Sequence, residues 1–188
     1  MKIFPALLLV AALSACGSSD PATVAAPSAS PSTMTMTSTA PTADGACVKQ
    51  APTVPAAATA TKDLAVKPVI TIPKTAAPCD LQTSDIVVGT GPAAKAGDNL
   101  TVKYVGVLYS DGKEFDSSWS RGSTETFPFQ LGSGGVIAGW DTGVAGMKVG
   151  GRRELTIPSA LAYGANGQGS IPAGATLVFT VDLVKIGK

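Results

Sequence analysis

The chain has 188 residues, with 14 basic and 13 acidic side chains, a formal net charge of +1 and no histidine. That balance gives no electrostatic footprint for nucleic acid. The missing imidazole excludes Ser-His-Asp and Cys-His nucleophiles and histidine-ligated metal sites. Neither a metal nor a cofactor is expected.

The N-terminus reads as a targeting signal. Lys2 is followed by a short apolar run at 6–13, too short to span a bilayer, and then by Ser14, Ala15 and Cys16. Leu13-Ser14-Ala15-Cys16 resembles the lipobox of bacterial lipoproteins, which implies a signal peptide at 1–15 and acylation of Cys16. An ordinary cleaved signal with an incidental cysteine is the other reading. On the first, the mature protein is exported and lipid-anchored to a bacterial membrane, in the periplasm or at the cell surface. Residues 16–80 are rich in Ala, Pro, Ser and Thr and hold no aromatic side chain. Such a composition buries too little apolar surface to offset chain entropy, so it reads as a tether. Cys47 and Cys79 are the pair left once Cys16 carries lipid. In an oxidising compartment they read as a structural bridge, and otherwise as reactive thiols.

Nine of the ten aromatic residues lie between Tyr104 and Phe179. The folded domain is therefore placed at 81–188, large enough for a real core. Strands are predicted at 85–88, 99–109, 126–131, 152–157 and 176–186 from alternation and β-branched content. In the second, Leu100, Val102, Tyr104 and Gly106 fall on one face and Thr101, Lys103, Val105 and Val107 on the other. Ser110-Asp111-Gly112-Lys113 is a hairpin turn signal. Ile137, Trp140, Val144 and Met147 share one face of a short helix. Gly139, Gly143 and Gly146 in that helix cost about 1 kcal/mol each against alanine, which suggests close approach to a sheet. One helix among five strands argues an α+β fold, an antiparallel sheet wrapped around the Trp140 helix.

Tyr104, the run 111–118, the segment 127–140, Ala162-Tyr163-Gly164 and 175–179 together resemble the FKBP-type peptidyl-prolyl cis-trans isomerases, over about 85–186. The resemblance implies rotation of Xaa-Pro bonds in proline-containing polypeptides, with macrolides such as tacrolimus as inhibitors and a monomeric enzyme. It places the proline ring on Trp140, between walls formed by Tyr104, Phe127, Val136, Ile137 and Phe179. Phe115 and Asp116 flank the preceding carbonyl, the Ile137 N–H and the Tyr163 hydroxyl donate to ligand carbonyls, and Ile171 joins the substrate-binding rim. Arg121 falls where the family pairs an arginine with the aspartate. Segment 122–126 is two residues longer than in compact members, loop 167–170 is one shorter, and Leu161 replaces a common aromatic. A binding module that keeps the pocket without turnover is the competing class; the complete set of pocket residues favours the enzyme.

Overall fold

The computed structural model describes residues 47–49 and 61–187. The signal segment, Cys16 and much of the tether lie outside them. Alternation in the second predicted strand organises everything else. Strand β2, Asn99–Leu108, follows β1, Gln82–Val87. It turns Leu100, Val102 and Tyr104 into the main core and Val105 and Val107 into a smaller cluster on the opposite face. After β2 come β3 (Glu114–Ser117), β4 (Phe127–Gln130), a short helix α1 (Ala138–Gly143), β5 (Arg152–Ile157) and β6 (Leu177–Gly187). The six strands form one antiparallel sheet in the order β1-β5-β6-β2-β3, with β4 also on β2. β6 runs along one flank of β2, while β4 and β3 divide the other flank, β4 at 99–102 and β3 at 105–107. The α+β expectation holds; β3 is the strand that the sequence reading did not find.

Helix α1 is six residues long, shorter than the spacing implied. Ile137 caps it in an extended conformation, and Val144 already lies past its last residue. Close approach explains two of the three glycines. A Cβ at Gly139 would lie 2.3 Å from Ile157 Cγ2, and one at Gly143 would lie 2.8 Å from Leu155 Cδ2. Gly146 is different: it stands in open space with φ +74°, so its role is a turn after the helix.

Residues 61–79, which composition places in the tether, lie against the sheet face opposite the main core. Pro68 is buried and Ile70 half-buried, while Val69 between them is 67% exposed. That is the alternation of an extended segment lying on a surface. At one end the fully buried Arg152 forms a two-bond ion pair with Asp182, at 2.6 and 2.7 Å. It also donates to the carbonyls of Thr61, Asp63 and Val66 at 2.6, 3.2 and 3.1 Å. A guanidinium taken out of water needs partners for all its donors, and this segment supplies those that Asp182 leaves open. At the other end Cys47 and Cys79 are joined in a disulfide, with Val48 bridging to Pro78.

Candidate active site

The main-core face of β2 and β6 opens into a cavity of ≈ 200 Å³ lined by Tyr104, Phe115, Asp116, Phe127, Gly135, Val136, Ile137, Trp140, Tyr163 and Phe179. Trp140 is its floor, buried to 4% exposure. Four rings meet the indole: Tyr104 at 5.3 Å, Phe127 at 6.0 Å, Phe129 at 5.5 Å and Phe179 at 5.3 Å between centroids, all edge-on. Each such pair contributes about 0.5–1.5 kcal/mol beyond area burial, so the floor is rigid. Phe115 stands edge-on to Phe179 at 5.5 Å. Both rings close over Gly106, where a Cβ would lie 2.7 Å from Phe179 and 2.8 Å from Phe115. Only glycine fits beneath them.

One wall is polar. The Tyr104 hydroxyl donates a short hydrogen bond to Asp116 Oδ2, and the Ser117 N–H donates to Oδ1 at 2.8 Å. Arg121 pairs with Oδ1 at 3.2 Å and reaches the Tyr104 hydroxyl at 3.4 Å. Asp116 is thereby an oriented, multiply bonded carboxylate. Burial raises the pKa of the Tyr104 hydroxyl, and the Arg121 contact opposes that rise. Burial and the nearby Asp116 charge raise that of Tyr163. Both phenols therefore stay protonated and remain donors at neutral pH.

Local geometry places these groups. The Tyr104 N–H donates to Ser118 Oγ at 3.0 Å, and the Ser118 N–H donates back to the Tyr104 carbonyl at 3.1 Å. This locks the chain after β3 to β2 beneath the cleft. Asp141 on α1 accepts from the Gly132 and Gly134 N–H groups at 2.8 and 3.1 Å, which sets the loop carrying Gly135, Val136 and Ile137. Among the described residues the Ile137 N–H has no acceptor.

Ten residues were expected at the cleft besides Ile171. Nine of them line it, and Arg121 sits behind Asp116. Ile171 does not line the cavity. Its N–H and carbonyl both pair with Gln168 in a tight turn, and its side chain is buried in the main core. Gly135 was missed as a lining residue. Its one sequence signal, the Gly134-Gly135 pair, reads as a turn and nothing more.

An aromatic cleft with an oriented aspartate on one wall, set on an antiparallel sheet around one short helix, has the size and lining to receive a small apolar group beside a polar one. A sequence-family model of FKBP-type peptidyl-prolyl cis-trans isomerases matches residues 91–184. The chain is 54% identical over 122 residues to an FK506-binding protein of Streptomyces anulatus, covering 64% of this chain and 97% of that one. To a probable FK506-binding protein of Corynebacterium glutamicum it is 53% identical over 118 residues, covering 63% and 97%. Among solved structures, AtFKBP13 matches with a TM-score of 0.53 and 39% identity over 59% of this chain and 96% of its own. A peptidyl-prolyl cis-trans isomerase of Pseudomonas syringae matches with a TM-score of 0.50 and 38% identity over 57% and 76%. The chain belongs to the FKBP-type peptidyl-prolyl cis-trans isomerase family and is an isomerase of that type.

Proposed function

We propose that the enzyme acts on Xaa-Pro bonds of exported polypeptides while they fold, from a membrane to which acylated Cys16 holds it. The cleft carries the first half of this reading. Rotation about an Xaa-Pro amide meets a barrier of ~18–20 kcal/mol because resonance stiffens the C–N bond. At the perpendicular geometry that resonance is lost and the carbonyl is less polarised. A cleft walled by Tyr104, Phe115, Phe127, Trp140 and Phe179 favours the less polar twisted state over either planar one, which is differential binding. The Ile137 N–H and the Tyr163 hydroxyl hold the neighbouring ligand carbonyls and fix the peptide on one side of the rotating bond. No nucleophile is required, in keeping with a chain without histidine. Lowering the barrier by ~7 kcal/mol speeds the reaction about 10⁵-fold.

Uncatalysed Xaa-Pro isomerisation takes tens to hundreds of seconds, long enough to limit folding. The apolar run at 6–13 followed by Ser14-Ala15-Cys16 supports export and lipidation, and the Cys47–Cys79 bridge suits an oxidising compartment. A protease-free assay on a proline-containing tetrapeptide, with and without tacrolimus, tests the cleft. Turnover abolished by stoichiometric tacrolimus is the expected result; a folded chain without turnover would leave only a binding module. Intact mass of membrane-extracted protein tests the anchor, and an unmodified Cys16 or a different first residue would refute it.

A further inference from the structure

Phe115 and Asp116 of the cleft, and Arg121 behind Asp116, come from one stretch, the hairpin at 109–121, whose strand β3 is four residues long and, among the described residues, pairs with β2 alone. That pairing is irregular, with a register shift between Gly106 and Val107. An edge strand this short has few ladder bonds of its own, and beyond the Tyr104–Ser118 bonds at its end the hairpin draws its support from what packs behind it. Behind it lies the 61–79 segment, which touches it along its length. Lys67 Nζ pairs with Glu114 at 2.8 Å, one residue before Phe115. Ile72 packs at the hairpin turn, its Cγ1 3.6 Å from where a Cβ on Gly112 would stand. Thr75 Oγ1 and the Tyr109 hydroxyl are hydrogen-bonded at 3.1 Å at the hairpin root. Ile70 and Ile72 also join the small cluster of Val105, Val107 and Val178, against which Tyr109 and Trp119 pack. Trp119 opens the single helical turn Trp119–Arg121 that presents Arg121 to Asp116. None of the strap residues falls within the 91–184 family match.

We propose that residues 67–75 form a positioning strap: by gripping the 109–121 hairpin from behind, they set Phe115, Asp116 and Arg121 in the geometry the isomerase cleft requires. This rests on the isomerase reading of the cleft. The strap touches no substrate and contributes only through the hairpin. Its own ends are fixed independently of that grip, by the Arg152 bonds to 61–66 and by the Cys47–Cys79 bridge. The strap thus has a firm base from which to act.

The full-length protein carrying Ile70→Ser and Ile72→Ser tests this, with Lys67→Glu alone and combined with Glu114→Lys as a second arm. Activity is read on a proline-containing tetrapeptide, and geometry from backbone amide resonances, at a temperature where every variant is folded. Displacing reacting groups by about an ångström costs up to 10²-fold, so partial loosening is expected to lower kcat/KM about 5–10-fold in the isoleucine variant. The amides of Phe115, Asp116 and Arg121 should shift or broaden, while those of Tyr163 and Ile137, carried on other loops, stay near their original positions. Lys67→Glu should lose about twofold, as an exposed pair allows, and Glu114→Lys should restore it. A purely stabilising strap would lower the unfolding midpoint but leave the folded-state amides unmoved. The proposal is overturned if kcat/KM of the isoleucine variant stays within twofold and the 115–121 amides do not move, whether or not the strap has detached. A parent protein with no turnover would refute the isomerase reading instead, and the amide shifts would still decide the strap's role.

Discussion

Phe115 and Asp116 are neighbours in sequence that face the same cavity with opposite chemistry, so they separate two sources of catalysis. If the dry cleft dominates, Phe115→Ala should admit water and lower kcat/KM by ~10–100-fold, roughly 1.4–2.7 kcal/mol of transition-state stabilisation. Asp116→Leu turns the polar wall apolar and strands the Tyr104 hydroxyl and Arg121; if the dry cleft dominates, its loss should stay under about tenfold. With both variants shown folded by near-ultraviolet circular dichroism, a greater loss in Asp116→Leu would favour an electrostatic mechanism centred on the carboxylate. On the opposite face a second carboxyl governs stability. Glu154 sits on β5 between Ser84 and Thr180 of its neighbours, and its Oε2 and the Thr180 hydroxyl are buried without partners among the described residues. Charged groups on that face are Arg152 two residues along the strand, Asp182 on β6 and Lys103 on β2. Burial pushes the Glu154 pKa from 4.5 up to about 7. The folded state therefore holds a proton that the unfolded chain releases. Its contribution is fully present below pH 4.5 and is lost as pH rises through about 7. Glu154→Gln should flatten the urea midpoint across this window and raise stability at pH 8 by about 1–2 kcal/mol, after allowance for partial exposure. An unchanged pH profile would show that water already solvates the carboxylate.

Helix α1 shows what a short element depends on. Six residues with two internal glycines are a poor helix in isolation. The contact with β5 holds it, through Gly139 on Ile157 and Gly143 on Leu155. Gly139→Ala improves intrinsic propensity but forces a methyl to 2.3 Å from Ile157 Cγ2. Overpacking should win, destabilising the protein by about 1–3 kcal/mol in chemical denaturation and moving the Trp140 floor; a gain in stability would mean that the helix can lift off the sheet freely. The same element marks how far sequence could be read. The spacing of Ile137, Trp140, Val144 and Met147 revealed the helix and its buried face, because periodicity is a local property. Its length was hidden, because the sheet beneath it decides where Val144 and Met147 leave the helical path. β2 and β6 were legible from alternation and β-branched runs. β3 was not: Glu-Phe-Asp-Ser has little intrinsic strand preference, and its conformation comes from pairing with β2. Most of the cleft was recovered because its aromatic residues recur in a recognisable order. Ile171 stands apart from the cavity lining because it sits in a tight turn with Gln168, invisible in residue type, with its side chain in the main core.

At the scale of the molecule, the catalytic unit is joined to a segment whose composition conceals its role. Alanine, proline and threonine around 61–79 read as disorder, yet Pro68, Ile70 and Ile72 meet the sheet by alternation over only five residues. What holds the far end is backbone: three carbonyls on Arg152, a contact that no side-chain pattern records. Among the described residues, all six strands and α1 lie within 82–187, so a chain beginning at Asp80 should still fold. It should not match the parent in stability. Its loss uncovers the small Val105, Val107 and Val178 cluster and replaces three bonds to a buried guanidinium with water. Hydrogen bonds exchanged for water contribute about 0.5–1.5 kcal/mol each, and half-buried aliphatic side chains a comparable amount, so a loss of about 2–5 kcal/mol is expected. Reducing the Cys47–Cys79 bridge in the parent should produce a smaller part of the same loss, because the strap remains covalently joined to β1 and keeps its contacts. Urea unfolding of the parent, the reduced parent and the shortened chain would rank the three. If the shortened chain unfolds at the parent's midpoint, the strap rests on the sheet without bracing it, and solvent satisfies the Arg152 donors that the 61–66 carbonyls held.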